Sequence, residues 1–99
     1  MKAMLKISRR QTGNDFMEFA LSGRLQFEHV NELRGLIRRE AHKVVLDLGE
    51  VNLVDREAVE FLVACELNGV ALNNCSPYIR EWITREASRK KLSPSEGED

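Results

Sequence analysis

The chain has 99 residues, enough for one domain around a single modest core. With 42% hydrophobic and 31% charged residues it reads as a globular chain, which excludes intrinsic disorder. A formal net charge of −1 supplies no overall field toward nucleic acid or an anionic membrane, and no apolar run reaches the ~20 residues of a membrane helix.

The elements follow in order. In "MLKISRR" (4–10) Leu5 and Ile7 alternate with polar neighbours, predicting an edge strand, and "QTGND" is a hairpin turn cluster. "FMEFALSG" puts Met17, Phe19 and Leu21 on one face of a second strand, antiparallel to the first and ended by Gly23. Between Phe27 and Ala41 the period changes. Phe27, Val30, Leu33, Ile37 and Ala41 recur at steps of three and four, with Leu36 beside them, which predicts an amphipathic helix. "VVLDL" is the nearly continuous apolar run of a covered central strand, and "GEVNLV" is read as the loop after it. Asp55 is placed to N-cap the next helix, whose inner face is Ala58, Val59, Leu62 and Val63 and whose end is Asn68-Gly69. "VAL" (70–72) is a fourth strand. Ser76-Pro77 then starts a helix with Tyr78, Ile79, Trp82 and Ile83 as its packing face and a basic end through Lys91. One domain over 1–91 and a polar, acidic, frayed tail over 92–99 are expected.

The order strand, strand, helix, strand, helix, strand, helix contains two strand–helix–strand crossovers. It predicts an α/β fold with a small mixed, partly parallel sheet faced by helices.

Chemical motifs are scarce. There is no glycine-rich phosphate loop, nucleophile elbow or metalloprotease helix. His29 and His42 lie far from Cys65 and Cys75 without metal-ligand spacing, so no metal and no cofactor are expected. Cys65, among apolar residues, reads as a small buried hydrophobe, and two cysteines are too few for a disulfide scaffold. The carboxylates Asp47, Glu50, Asp55 and Glu57 cluster, yet Asp55 and Glu57 suit the first turn of a helix better than acid–base work. Three basic clusters are interleaved with acids, and Phe27 and Trp82 lie on packing stripes, so direct nucleic-acid binding is not expected. The N-terminal "MKAMLKISRR" is too polar for a secretory signal, so a cytoplasmic location is expected.

Three segments together resemble a known family: "FALSGRLQFEHVNELRGLI", "KVVLDLGEVNLVDREAVEFL" and "GVALNNCSPYIREWI". Over roughly residues 3–83 the chain resembles the STAS domain of bacterial anti-sigma factor antagonists and of the cytoplasmic tails of sulfate transporters. In that family an Asp opening the second helix is followed by two hydroxyl residues and Gly. The hydroxyl two places after the Asp is phosphorylated by a partner that is both anti-sigma factor and kinase. By position, Arg56 and Glu57 stand where the hydroxyl residues would be and Ala58 where the Gly would be. No Ser or Thr occurs between Ser22 and Ser76. The helix after Asp55 is expected to be about one turn shorter than the family's, and after Trp82-Ile83 the antagonists' extra strand and final helix are not expected.

The resemblance implies a non-enzymatic module for bacterial signalling and transcription regulation. It would bind an anti-sigma factor, a serine-kinase-like protein or another regulatory protein without phosphorylation at the usual position. Glu57 either supports constitutive binding or imitates the phosphorylated, released state; otherwise Arg56 and Glu57 only decorate a helix start. Asp55, Arg56, Glu57 and Ala58 mark the degenerate switch position, and the expected partner surface combines Arg24, Gln26, Phe27 and Asn52 with Asp55, Arg56 and Glu57, extended by Asn73 and Asn74 at the ends of the parallel strands. The alternative is a structural or oligomerising component of a larger regulatory complex, with a homodimer through the shortened C-terminal face. A nucleotide or fatty-acid-like ligand, proposed for STAS domains, has little support in these residues.

Overall fold

A computed structural model describes residues 4–97. The elements are β1 (Leu5–Thr12), β2 (Phe16–Leu25), α1 (Phe27–Arg39), β3 (Lys43–Val54), α2 (Arg56–Leu67), β4 (Ala71–Asn73) and α3 (Pro77–Gly97). They form the expected α/β architecture with one four-stranded mixed sheet in the order β1-β2-β3-β4. The β1/β2 hairpin is antiparallel, with Leu5 opposite Gly23 and Thr12 opposite Phe16, while β2/β3 and β3/β4 are parallel.

Both parallel connections step the same way across the sheet. Right-handed crossovers then place α1 and α2 on the same face. The burial pattern agrees. Met17, Phe19 and Leu21 of β2 and Val44, Leu46 and Leu48 of β3 alternate inward to meet Leu33 of α1, Leu62 of α2 and Ile79 and Ile83 of α3. Helix α2 packs between the other two helices, and Ala58, Val59, Phe61, Leu62, Val63 and Cys65 are buried.

Two strands run further than their sequences suggest. Gly23 does not end β2: it sits at φ +106°, and its amide plane turns so that the Arg24 N–H donates to the Met4 carbonyl at 3.1 Å. A Cβ at this position would lie 2.6 Å from that same oxygen, so only glycine fits the close approach of β1. The register shifts there, and β2 continues to Leu25. This continuation recruits "GEVNLV" as strand rather than loop, with Glu50 opposite Ser22 and Val54 opposite Leu25.

Helix boundaries follow from their caps. Helix α1 ends at Arg39, before Ala41, with Arg38 and Arg39 in its last turn. Asn68 closes α2 through both its backbone and its side chain, which donates to the Ala64 carbonyl at 2.8 Å. Ser76 accepts from the Ile79 N–H at 3.3 Å and Pro77 follows as the first helical residue of α3. Arg80 then forks onto both carboxylate oxygens of Glu66, each at 2.8 Å, tying α3 to α2 and holding the Glu66 carboxyl below its ordinary range. The helical backbone of α3 passes Lys91, where a basic end was expected, and reaches Gly97.

Two aromatic residues expected in packing stripes lie outside the core. Phe27 is 60% exposed and Tyr78 is 63% exposed. At 3.6 residues per turn, Phe27 points about 100° away from the Val30–Leu33–Ile37 stripe, and Tyr78 is similarly off the Ile79–Ile83–Glu86 stripe. Trp82, on that second stripe, is half-buried against the core.

Candidate functional site

The parallel strands β2 and β3 end side by side, and α1 and α2 begin there. Arg24 pairs with Leu53 and Leu25 with Val54, which brings the chain at Gln26 and Phe27 next to Asp55. Asp55 has the extended backbone of an N-cap, and its Oδ1 accepts from the Ala58 N–H at 2.9 Å. Its second oxygen does something that local spacing cannot reveal. Oδ2 accepts from the Phe27 N–H, also at 2.9 Å. One carboxylate therefore satisfies an orphan donor at the start of each helix and locks the two helix starts together.

The entry to α1 has a second lock. The Gln26 N–H donates to His29 Nδ1 at 3.1 Å, and the His29 N–H returns to the Gln26 carbonyl at 2.8 Å. Histidine here takes the role that Glu or Gln fills in an ordinary capping box.

On this frame Arg56 and Glu57 are both exposed, and Ala58 is fully buried. Arg56 Nε lies 3.4 Å from Glu60 Oε2 one turn along, an exposed pair of little energetic weight. Glu57 belongs to no ion pair among the described residues, so its charge stands unopposed at the positive end of α2. Asn52 and Arg24 are exposed on the strand ends, Leu53 is 42% exposed, and Phe27 projects from the neighbouring helix start. Thus Gln26, Phe27 and Asp55 to Glu57 lie together at the two helix starts, with Arg24 and Asn52 exposed on the adjoining strand ends, while Ala58 is buried and belongs to the core.

Asn73 and Asn74 belong elsewhere. Strand β4 is only three residues long and pairs with β3 at Val45–Asp47, so it stops seven residues short of Val54, roughly 23 Å of extended chain. Asn74, at φ +60°, donates from Nδ2 to Asp47 Oδ1 at 3.0 Å, and the Gly49 N–H reaches the same oxygen at 2.9 Å. These donors, the backbone one foremost, hold the Asp47 carboxyl below its ordinary range. On the same open face of the sheet, Arg10 clamps the buried Glu18 through Nε and a terminal nitrogen at 3.2 and 2.7 Å. Asn74 is thus part of a polar brace for β3, separate from the Asp55 surface.

Cys65 is buried on α2 and its thiol is pushed up to about 12 by loss of solvent, which disfavours the thiolate at neutral pH. Among the described residues no group of three or more His, Cys, Asp or Glu is arranged to hold a metal ion, and no helix is long and apolar enough to cross a membrane.

No protein-family model matches the chain, and no curated protein does. Solved structures do share its architecture. An anti-sigma-factor antagonist, a STAS domain from Rhodobacter sphaeroides, superposes with a TM-score of 0.58 at 16% identity, covering 73% of this chain and 88% of that one. An uncharacterised protein from Shewanella loihica PV-4 with a SpoIIAA-like fold gives a TM-score of 0.54 at 18% identity, covering 88% of this chain and 79% of that one. With its hairpin, two parallel crossovers and helices on one face, the chain has the STAS-domain, SpoIIAA-like fold.

Proposed function

We propose that this chain is a non-enzymatic regulatory module that binds a protein partner through the surface where α1 and α2 begin, without phosphorylation at the helix start. The partner class proposed is an anti-sigma factor, a serine-kinase-like protein or a comparable regulator. One observation carries the reading. The start of α2 is clamped to α1 by Asp55 and presents exposed charged residues where a phospho-switch needs a hydroxyl.

Phosphorylation at such a helix start adds about −1.5 to −2 charges, which a partner can read as a signal. Glu57 supplies one negative charge permanently, and Arg56 offers a planar donor fork for a partner carboxylate. Exposed Phe27 and Leu53 provide apolar anchor area beside them. A pre-ordered surface of this kind loses little conformational freedom on binding. The neighbour from Rhodobacter sphaeroides is an anti-sigma-factor antagonist, and its shared fold supports this class of partner.

Affinity purification from the native cell, analysed by mass spectrometry, tests the reading. Wild type is compared with Arg56→Glu/Glu57→Lys and with Glu57→Ser. Capture of a kinase-like anti-sigma factor by wild type and its loss on charge reversal is the expected result. The serine variant then shows whether a phosphate acceptor restores regulated release. Recovery of only the protein itself, or of one scaffold equally from all three, sinks the proposal in favour of an oligomerising component of a larger complex.

A further inference from the structure

The chain has two histidines, and the structure gives their ring nitrogens opposite tasks. His42 Nδ1 lies 2.7 Å from the Glu40 carboxylate, to which it donates, and a neutral or a charged ring can do that. His29 Nδ1 instead accepts, taking the Gln26 N–H at 3.1 Å. An imidazole nitrogen accepts only while it carries no proton, so this bond requires the neutral ring with its hydrogen on Nε2. A glutamine in the same place of a capping box would accept at every pH. Histidine is the residue whose charge ordinarily changes between about pH 5 and 8.

The surrounding charges offer the ring no replacement bond. Glu28 and Glu32 lie on α1 itself, Asp55, Arg56, Glu57 and Glu60 stand at the start of α2, Arg24 ends β2, and Lys6 lies on β1. The Asp55 carboxylate is already engaged with the Phe27 and Ala58 amides. His29 enters no ion pair among the described residues. A proton on His29 therefore removes the acceptor for Gln26. It also adds positive charge in the first turn of α1, where the helix dipole is already positive.

The consequence is confined to a short segment. Leu25 is fully buried and paired with Val54, and Val30 is buried on the inner face of α1. Only residues 26–29 lie between these anchors, and they include the exposed Phe27.

We infer that His29 is a proton-operated latch on the start of α1. With its ring neutral it fixes residues 26–29, and so Phe27, beside Asp55. Protonation releases that segment while the core stays folded. The inference goes beyond the proposed function, because the latch works whether or not a partner is bound there.

Two NMR measurements on the whole chain test it. At about pH 7.5 the ¹⁵N shifts of the His29 ring are expected to show hydrogen on Nε2 and a bare Nδ1. Protection of the Gln26 amide, taken relative to an unstructured chain at the same pH, is expected to fall about fivefold between about pH 7.5 and 5.5, the factor one capping bond is worth. Buried Leu46 should keep its protection over that range. His29→Gln retains an acceptor and should make Gln26 protection constant, whereas His42→Gln should leave the wild-type response intact. Circular dichroism checks that both variants are folded. Hydrogen on Nδ1 of the neutral wild-type ring overturns the inference, as does Gln26 protection that is unchanged with pH in wild type. A response that survives His29→Gln, or one that vanishes in His42→Gln, overturns it equally.

Discussion

Replacing Asp55 with alanine should loosen two helices at once, because its two oxygens hold the Ala58 and Phe27 amides at 2.9 Å each. Loss of an N-cap bond typically costs about 1 kcal/mol. The bond to Phe27 is charge-assisted but exposed, so it adds about 1 kcal/mol rather than the larger value of a buried bond. The expected loss is about 2 kcal/mol, which lowers the melting temperature of a domain this size by roughly 8–16 °C. Asp55→Asn keeps a competent cap for α2 and should lose no more than about 1 kcal/mol. Urea unfolding gives the totals, and amide hydrogen exchange separates the two helix starts. The Phe27 amide, 28 residues away in sequence, should exchange faster in the alanine variant. A loss below about 0.5 kcal/mol with unchanged exchange at Phe27 would refute the clamp.

Acid stability should depend on Glu40. Its carboxyl is held down to about 2 by a 2.7 Å hydrogen bond with His42 Nδ1 and, next, by Arg9 at 3.0 Å. A carboxyl whose folded value lies below its unfolded one stabilises the fold above the unfolded value, and that contribution disappears as pH falls through the folded value. Urea melts of Glu40→Gln should therefore show a flatter stability curve than wild type between about pH 4.5 and 2. Gly23→Ala should destabilise by about 1–3 kcal/mol, read by thermal melting, since it combines a positive φ with a clash at the Met4 carbonyl. A null effect would mean that β1 can move away. Leu62→Ala, at a fully buried position, should lose about 2–5 kcal/mol in the same assay. A thiol reagent at mildly alkaline pH should modify partly exposed Cys75 well before buried Cys65, and equal rates would contradict the packing of α2.

The periodicities at Met17–Leu21, Val30–Ile37 and Val44–Leu48 were enough to predict β2, α1 and the first part of β3 with their inward faces. Each signal depends on neighbours one to four residues apart, and the structure buries those residues. The same holds for Asp55, Ser76-Pro77 and Asn68-Gly69, whose capping chemistry acts within a single turn. A local pattern fails where a distant strand or helix decides. "GEVNLV" has turn-forming residues, yet it is strand because β2 runs on past the Gly23 irregularity to pair with it. Phe27 and Tyr78 have helical spacing, yet both face outward because the buried stripe is set by where the sheet lies.

The candidate surface divides in the same way. Adjacency in sequence brought Asp55, Arg56, Glu57 and Ala58 into one cluster, and the rule that loops gather at the ends of parallel strands added Arg24, Gln26, Phe27 and Asn52. That rule also added Asn73 and Asn74, but β4 is too short to carry them there, and Asn74 instead braces Asp47. The second bond of Asp55 to Phe27 exists only in three dimensions. Caps and amphipathic faces arise from interactions within a turn or a strand pleat, which a linear pattern records. Strand register and the partner of a second carboxylate oxygen depend on chain segments tens of residues apart, and only packing brings those segments together.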